Sequence, residues 1–103
     1  MRRAEVRLHG VVAGWLTEGD SGREYRFEYA EGYGGPPVSV TLPVRREVYE
    51  FDGFPPFFDG LLPEGFQLEA LLRQKKLDRD DRFGQLVAVG ADTVGAVTVR
   101  EAS

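Results

Sequence analysis

The sequence predicts an α+β fold, a small, curved, mainly antiparallel sheet of four to six strands with two or three helices in a single domain spanning residues 1–103. Three observations carry this prediction. Apolar residues alternate with a period of two through REYRFEYA and GAVTVRE. Strong helix formers run without a break through QLEALLRQKKL. Between the strand-rich and helix-rich parts lies FPPFFDGLLPEGF, Phe54 to Phe66, which packs four phenylalanines, a Leu-Leu pair, prolines and glycines into one stretch. Its prolines set φ and its glycines permit reversals, so its apolar side chains are presented from a compact corner, with Phe57, Phe58, Leu61 and Leu62 expected in the core.

In chain order, Ala4 to Thr17 reads as a hairpin with His9-Gly10 as a two-residue turn. Pairing Leu8 with Val11 puts Ala4, Val6, Leu8, Val11, Ala13 and Trp15 on one face and turns Glu5 and Arg7 to water. Val12 and Leu16 then fall on the other face, as if the second strand were covered on both sides in a strongly curved or barrel-like sheet. A polar reversal at Glu18 to Gly22 leads to the clearest strand, with Tyr25, Phe27 and Tyr29 on one side. EGYGGPP is a loop, and PVSVTLP reads as a short strand with Val38, Val40 and Leu42 on one face, bracketed by Pro37 and Pro43. Val44 to Gly53 is a loop with room for a short strand. A helix follows from near Pro63, acidic in its first turn at Glu64 and basic in its last at Arg73, Lys75 and Lys76. Asp78 to Asp81 is a charged linker in which Asp80 or Asp81 can cap a second helix, ending near Gly90, with Phe83, Leu86 and Val87 on its apolar face. GAVTVRE closes the chain as a strand, Val97 and Val99 alternating with Thr98 and Arg100.

Composition restricts function more than it specifies it. At 103 residues and 42% hydrophobic content, roughly 60 to 70% of the unfolded surface can be buried, enough for one modest core. Without cysteine there is no disulfide framework, thiolate metal site or thiol nucleophile. A net charge of −4 disfavours direct nucleic-acid binding. The start, MRRAEVRLHG, has no apolar leader region and no run reaches the ~20 apolar residues of a membrane span, so a cytoplasmic location without membrane contact is expected.

No catalytic or metal-ligating set emerges. His9 is a lone histidine at a turn, and Asp78, Asp80 and Asp81 lack the spacing of a metal loop. GADTVGAV, residues 90–97, is spaced like a phosphate loop but lacks its Lys-Ser/Thr pair, leaving a free-standing small-ligand module as an outlying reading. The positive signal is geometric. With ~100° per residue, Leu68, Leu71 and Leu72 form the buried stripe, while Phe66 projects away from it with Ala70 and Arg73 beside it. The alternative is that Phe66, a first-turn residue of loosely defined direction, staples back onto Phe57 or Leu62. An exposed aromatic beside a small and a basic residue is a recognisable interface anchor, so Phe66, flanked by Ala70 and Arg73, is the candidate that inserts into a partner protein.

The stretches PVSVTLPV, FFDGLLPEG and GADTVGAVTV, in that order, resemble the N-terminal subdomain of HipA-type serine/threonine kinases, the toxins of bacterial type II toxin-antitoxin modules. The resemblance covers effectively the whole chain. It implies an α+β unit that packs on a kinase core, with the ATP loop, catalytic aspartate and magnesium ligands lying beyond it. It therefore implies no cofactor and no kinase activity in this chain alone. In split operons of the family a small protein of this kind, HipS, accompanies a shortened kinase, HipT, and a DNA-binding protein, HipB, and acts as antitoxin by binding the kinase. Read with the length and ends of the chain, the resemblance favours a HipS-like inhibitor of a HipT- or HipA-like kinase, with a HipB-like protein as a further partner in a ternary complex. It implies that the Leu61 to Phe66 corner docks on the kinase with Phe66 reaching toward its active cleft, so that the partner-binding set is Leu62, Pro63, Glu64, Gly65, Phe66, Ala70 and Arg73. The alternative is the structural and docking domain of a full-length HipA-type toxin.

Overall fold

In the computed structural model, residues 2–90 and 96–102 are described. Five strands form one open antiparallel sheet in the order β4-β3-β2-β1-β5: β1 (Arg2–Leu8), β2 (Val11–Glu18), β3 (Glu24–Tyr29), β4 (Tyr49–Asp52) and β5 (Val97–Ala102). Helices α1 (Pro56–Asp59), α2 (Gly65–Lys75) and α3 (Arg82–Val89) lie between β4 and β5 in the chain. One sheet face, carrying Ala4, Val6, Leu8, Ala13, Leu16, Phe27, Val97 and Val99, is covered by Phe58 of α1 and by Phe83 and Leu86 of α3. The expected α+β class is present, and the sheet is open rather than barrel-like.

The first hairpin turns at His9-Gly10, both with positive φ (51° and 81°), the requirement of a two-residue turn whose twist matches the strands. Leu8 pairs with Val11 as expected, but the register shifts between Val6 and Arg7: Val6 faces Gly14 while Arg7 faces Val12. Ala13 is the extra residue of a β-bulge. Because side chains alternate, one inserted residue exchanges the faces of everything after it. Leu16, assigned to the outer face by simple alternation, is fully buried opposite Ala4. Trp15, assigned to the core, faces outward opposite Glu5, with the Arg3 guanidinium 4.1 Å from its ring. Val11, also assigned to the core, lies beside the His9-Gly10 turn and stays exposed. Gly14 is required at the bulge, since a Cβ there would lie 2.3 Å from the Glu28 carbonyl oxygen on β3.

The segment expected as the strand PVSVTLP is a tight turn. Its only pairing is an isolated bridge between Ser39 and Leu42, and the Leu42 N–H donates to the Ser39 carbonyl at 3.0 Å. The Tyr29 hydroxyl draws both ends inward, accepting from the Val38 N–H at 3.1 Å and donating to the Leu42 carbonyl. Val38 and Leu42 are therefore buried, whereas Val40, expected beside them, stands 93% exposed at the tip. The short strand allowed for within Val44 to Gly53 is β4, on the sheet edge.

The sheet is fastened to α3 by charge. Arg2 donates to both carboxylate oxygens of Glu18 at 2.8 Å and to Asp81 at 2.8 Å, and its guanidinium lies 4.8 Å from the Phe83 ring centre. Asp81 also accepts from the Gly84 N–H at 3.0 Å, capping α3, and the Tyr25 hydroxyl donates to Glu18 at 2.9 Å. Hydrogen bonds from Arg2 hold the Glu18 and Asp81 carboxyls below their ordinary range. Burial, reinforced by Glu18, pushes Tyr25 up to about 12. At the other end of α3, Gly90 abuts β5 so closely that a Cβ would fall 1.8 Å from the Val99 carbonyl oxygen.

Gly14→Ala is expected to lower the free energy of unfolding by about 2 kcal/mol, the size of a forced overpacking, measured by urea denaturation. Carboxyls with depressed folded values stabilise the protein above their unfolded values, and that contribution disappears as pH falls through the folded ones. Thermal stability should thus hold from pH 7 to about 5 and decline below about 4. In Arg2→Met the melting temperature should be lower at pH 7 and its acid decline shallower.

Candidate functional site

The stretch from Phe54 to Phe66 divides into an anchored part and a presented part. Phe54 meets Tyr25 edge to face at 5.2 Å, Pro55 is buried, and Phe58 lies 5.6 Å from Phe27 in the core. Pro56 opens α1, where its missing N–H is of no consequence. Phe57, Leu61 and Leu62 were expected in the core with Phe58; they are half-buried, packed at its margin. From there the chain leaves the sheet. Glu64 is the N-cap of α2, with no side-chain capping bond, and Gly65 follows with φ +58°, a value that glycine tolerates best. The helix thus begins two residues later than the sequence predicts, and Glu64 precedes its first turn.

Helix α2 rests on α3, not on the sheet face, and this explains its shallow burial. Of the predicted stripe only Leu71 is buried, while Leu68 and Leu72 are half-buried. Its C-terminus closes at Lys76, φ 54°, whose N–H donates to the Leu72 carbonyl, with the basic residues Arg73 and Lys75 in the last turn as expected. Glu69 pairs with Arg79 of the following linker. That linker is more than a solvated charge run. The buried Gln85 side chain donates to the carbonyls of Asp78 and Arg79 at 3.0 Å each, and Asp81 supplies the expected cap.

Phe66 is 95% exposed, the most exposed large apolar side chain among the described residues. Gly65, Ala70 and Arg73 are also exposed, Glu64 is exposed, and Leu62 and Pro63 are half-buried behind them. By helical arithmetic Phe66, Ala70 and Arg73 share one face of α2, and residues Leu62 to Gly65 lead into it along the chain. The sequence did not reveal a neighbouring groove of about 560 Å³, lined by Leu61, Leu62, Leu71, Ala88 and Val89 with Gln67, Gln74 and Lys75. Periodicity marks Leu71, Ala88 and Val89 as apolar, but only the α2-α3 arrangement leaves a gap between them. Among the described residues no cluster of His, Cys, Asp or Glu could hold a metal ion, and no helix is long and apolar enough to cross a membrane. The glycine-spaced loop considered as a small-ligand site runs through residues 91–95, outside the described residues.

Phe66→Ala should leave stability within about 0.5 kcal/mol of the wild type, as for an exposed surface position. Leu71→Ala should cost about 2 kcal/mol. Both are read from urea denaturation monitored by circular dichroism.

The HipA N-terminal domain family matches residues 4–100. An uncharacterized protein of Haemophilus influenzae is 31% identical over 101 residues, covering 98% of this chain and 93% of its own length. A protein of Sinorhizobium fredii named as a candidate kinase is 30% identical over 100 residues, covering 94% of this chain but 24% of its own. Among solved structures, an N-terminal domain of HipA toxin superposes over 100% of this chain and 94% of its own, with a TM-score of 0.78 and 28% identity. HipA from the Shewanella oneidensis MR-1 complex of HipA, HipB and operator DNA superposes over 94% of this chain and 23% of its own, with a TM-score of 0.74 and 25% identity. The chain thus spans about a quarter of the two longer relatives. With 31% identity along nearly its whole length and the same sheet and helices, it belongs to the HipA N-terminal domain family.

Proposed function

We propose that this chain is a HipS-like antitoxin that binds a HipT-type serine/threonine kinase and blocks it by protein-protein contact. The observation that carries this reading is Phe66, an aromatic side chain 95% exposed on α2 and outside the core cluster. Phe66 enters the kinase cleft, with Leu62, Pro63, Glu64 and Gly65 forming the supporting corner and Ala70 and Arg73 flanking it. Aromatic anchors of this kind carry a large share of binding energy at interfaces. The Haemophilus relative, matched over 93% of its length, supports a family member of this size acting as a separate protein. The Shewanella complex, which contains HipB and operator DNA, supports a HipB-like protein as a further partner that brings this acidic chain near DNA without direct contact.

A second reading is favoured by a specific observation. The matched region is only about a quarter of the longer relatives, so the same unit serves as the N-terminal docking domain of a HipA-type kinase chain. In either role phosphoryl transfer belongs to the kinase, and this domain acts by association.

Co-expression with a HipT-type kinase gene from the same genome should relieve that kinase's growth inhibition, and the two proteins should co-purify. Phe66→Asp should abolish rescue and co-purification while the melting temperature stays unchanged. Wild-type protein that neither rescues nor co-purifies would end the antitoxin reading. Titration with ATP and magnesium, followed by Trp15 fluorescence, should produce no change, in contrast to a free-standing nucleotide-binding module.

A further inference from the structure

From Gly32 to Val44 no residue carries a charge, although 29% of the chain is charged. The run is not core. Within it only Val38 and Leu42 are buried, whereas Pro36, Pro37, Thr41, Pro43 and Val44 are exposed and Val40 is 93% exposed. Three tyrosine hydroxyls hold its shape. Tyr29 binds the Val38 N–H and the Leu42 carbonyl, and Tyr33 and Tyr49 donate to the carbonyls of Pro36 and Pro43 at 2.6 Å each. The Ser39 Oγ accepts from the Thr41 N–H at 3.2 Å, closing the tip. Turns favour glycine, proline, asparagine, aspartate and serine, yet this tip carries a valine. Beside the turn, and sharing Pro36 with it, is a groove of about 370 Å³ lined chiefly by Val11, Val12, Ala30 and Tyr33, with Glu31 its one carboxylate. Val11, Val40 and Val44 are three of the four large apolar side chains exposed among the described residues, the fourth being Phe66.

We propose that this fixed, uncharged surface, built on Val11, Tyr33, Pro36, Val40 and Val44, is a second docking surface that packs against an apolar patch on the kinase body. The centre of a protein-protein interface is depleted of charged residues, and this exposed run has that composition. Valine and proline side chains gain by leaving water, where carboxylates or ammonium groups would have to be desolvated. Because the turn is already tied at Pro36, Val38, Leu42 and Pro43, little ordering entropy is lost when it docks. The occupant is argued from the length of the relatives. The matched unit makes up 24% and 23% of the two longer ones, so in them most of the chain lies outside it and is the surface at hand to cover this face. In a separate small protein the same face stays bare until the kinase supplies the cover. No residue of α2 lines the groove, so this contact adds affinity without occupying the cleft assigned to Phe66. Such docking rests on the kinase-binding reading proposed above and gives it a second point of attachment.

The test is isothermal titration of the full chain into the purified HipT-type kinase encoded in the same genome. Val40→Asp and Val44→Asp should each weaken binding at least about tenfold, as for a charge set into an apolar contact. Their melting temperatures should stay at the wild-type value, because both side chains are exposed. Val40→Leu should bind nearly as tightly as wild type, since it keeps the apolar contact. Aspartate variants that both bind as tightly as wild type would overturn this surface and leave the Phe66 contact standing. A wild-type chain that does not bind the kinase would remove both together, so the two failures are told apart. Self-association of the chain alone in sedimentation velocity, abolished by Val40→Asp while kinase binding stays intact, would give the face to a second copy and overturn the kinase as its cover.

Discussion

The bidentate contact of Arg2 with Glu18, extended to Asp81, is the constraint on which the other parts depend. It joins the first residue of β1, the last of β2 and the N-cap of α3, three points far apart in the chain. Glu18 is buried while Arg2 stays partly exposed, so loss of Arg2 would leave the Glu18 carboxylate with the Tyr25 hydroxyl but without its counter-charge. The guanidinium also lies over Phe83, so one side chain serves electrostatics and core packing together. With α3 held at this end by the Arg2 contact, Gly90 brings its other end flush against β5.

Much of this fold is legible in the sequence because each element states its own period. Tyr25, Phe27 and Tyr29 alternate and are buried together, as are Val97 and Val99. Asp81 stands where a cap is needed and caps. What was not legible is nonlocal. Ala13-Gly14 reads as an ordinary continuation of a strand, and only the approach of Glu28 from β3 explains why a glycine and a bulge sit there. Alternation rules then misplace Trp15 and Leu16 as a pair, by one residue each. Val40 fails for a related reason, because the partner that converts its segment from strand to turn is a hydroxyl nine residues away from Val38.

The candidate site shows the same division. Phe66, Ala70 and Arg73 share a face by helical arithmetic alone, and the structure leaves that face in solvent. The groove beside it depends on how α2 leans on α3, which no local pattern encodes. Burial of the leucine stripe was overestimated because arithmetic gives direction without saying how much lies in that direction. Leu71 is buried, while Leu68 and Leu72 remain half-covered.

The position of α2 at the margin of the core separates two demands that usually conflict. Stability rests on the sheet, on Phe58 and Phe83, and on the Arg2 clamp, while recognition is assigned to residues that contribute little to any of these. Substitutions on the outer face of α2 are therefore nearly free of folding penalties, since the margin that most proteins lose when they acquire a new binding residue is held elsewhere. On the proposed reading of α2 as the partner surface, the chemistry of that surface can drift through single substitutions while the fold is held by residues elsewhere.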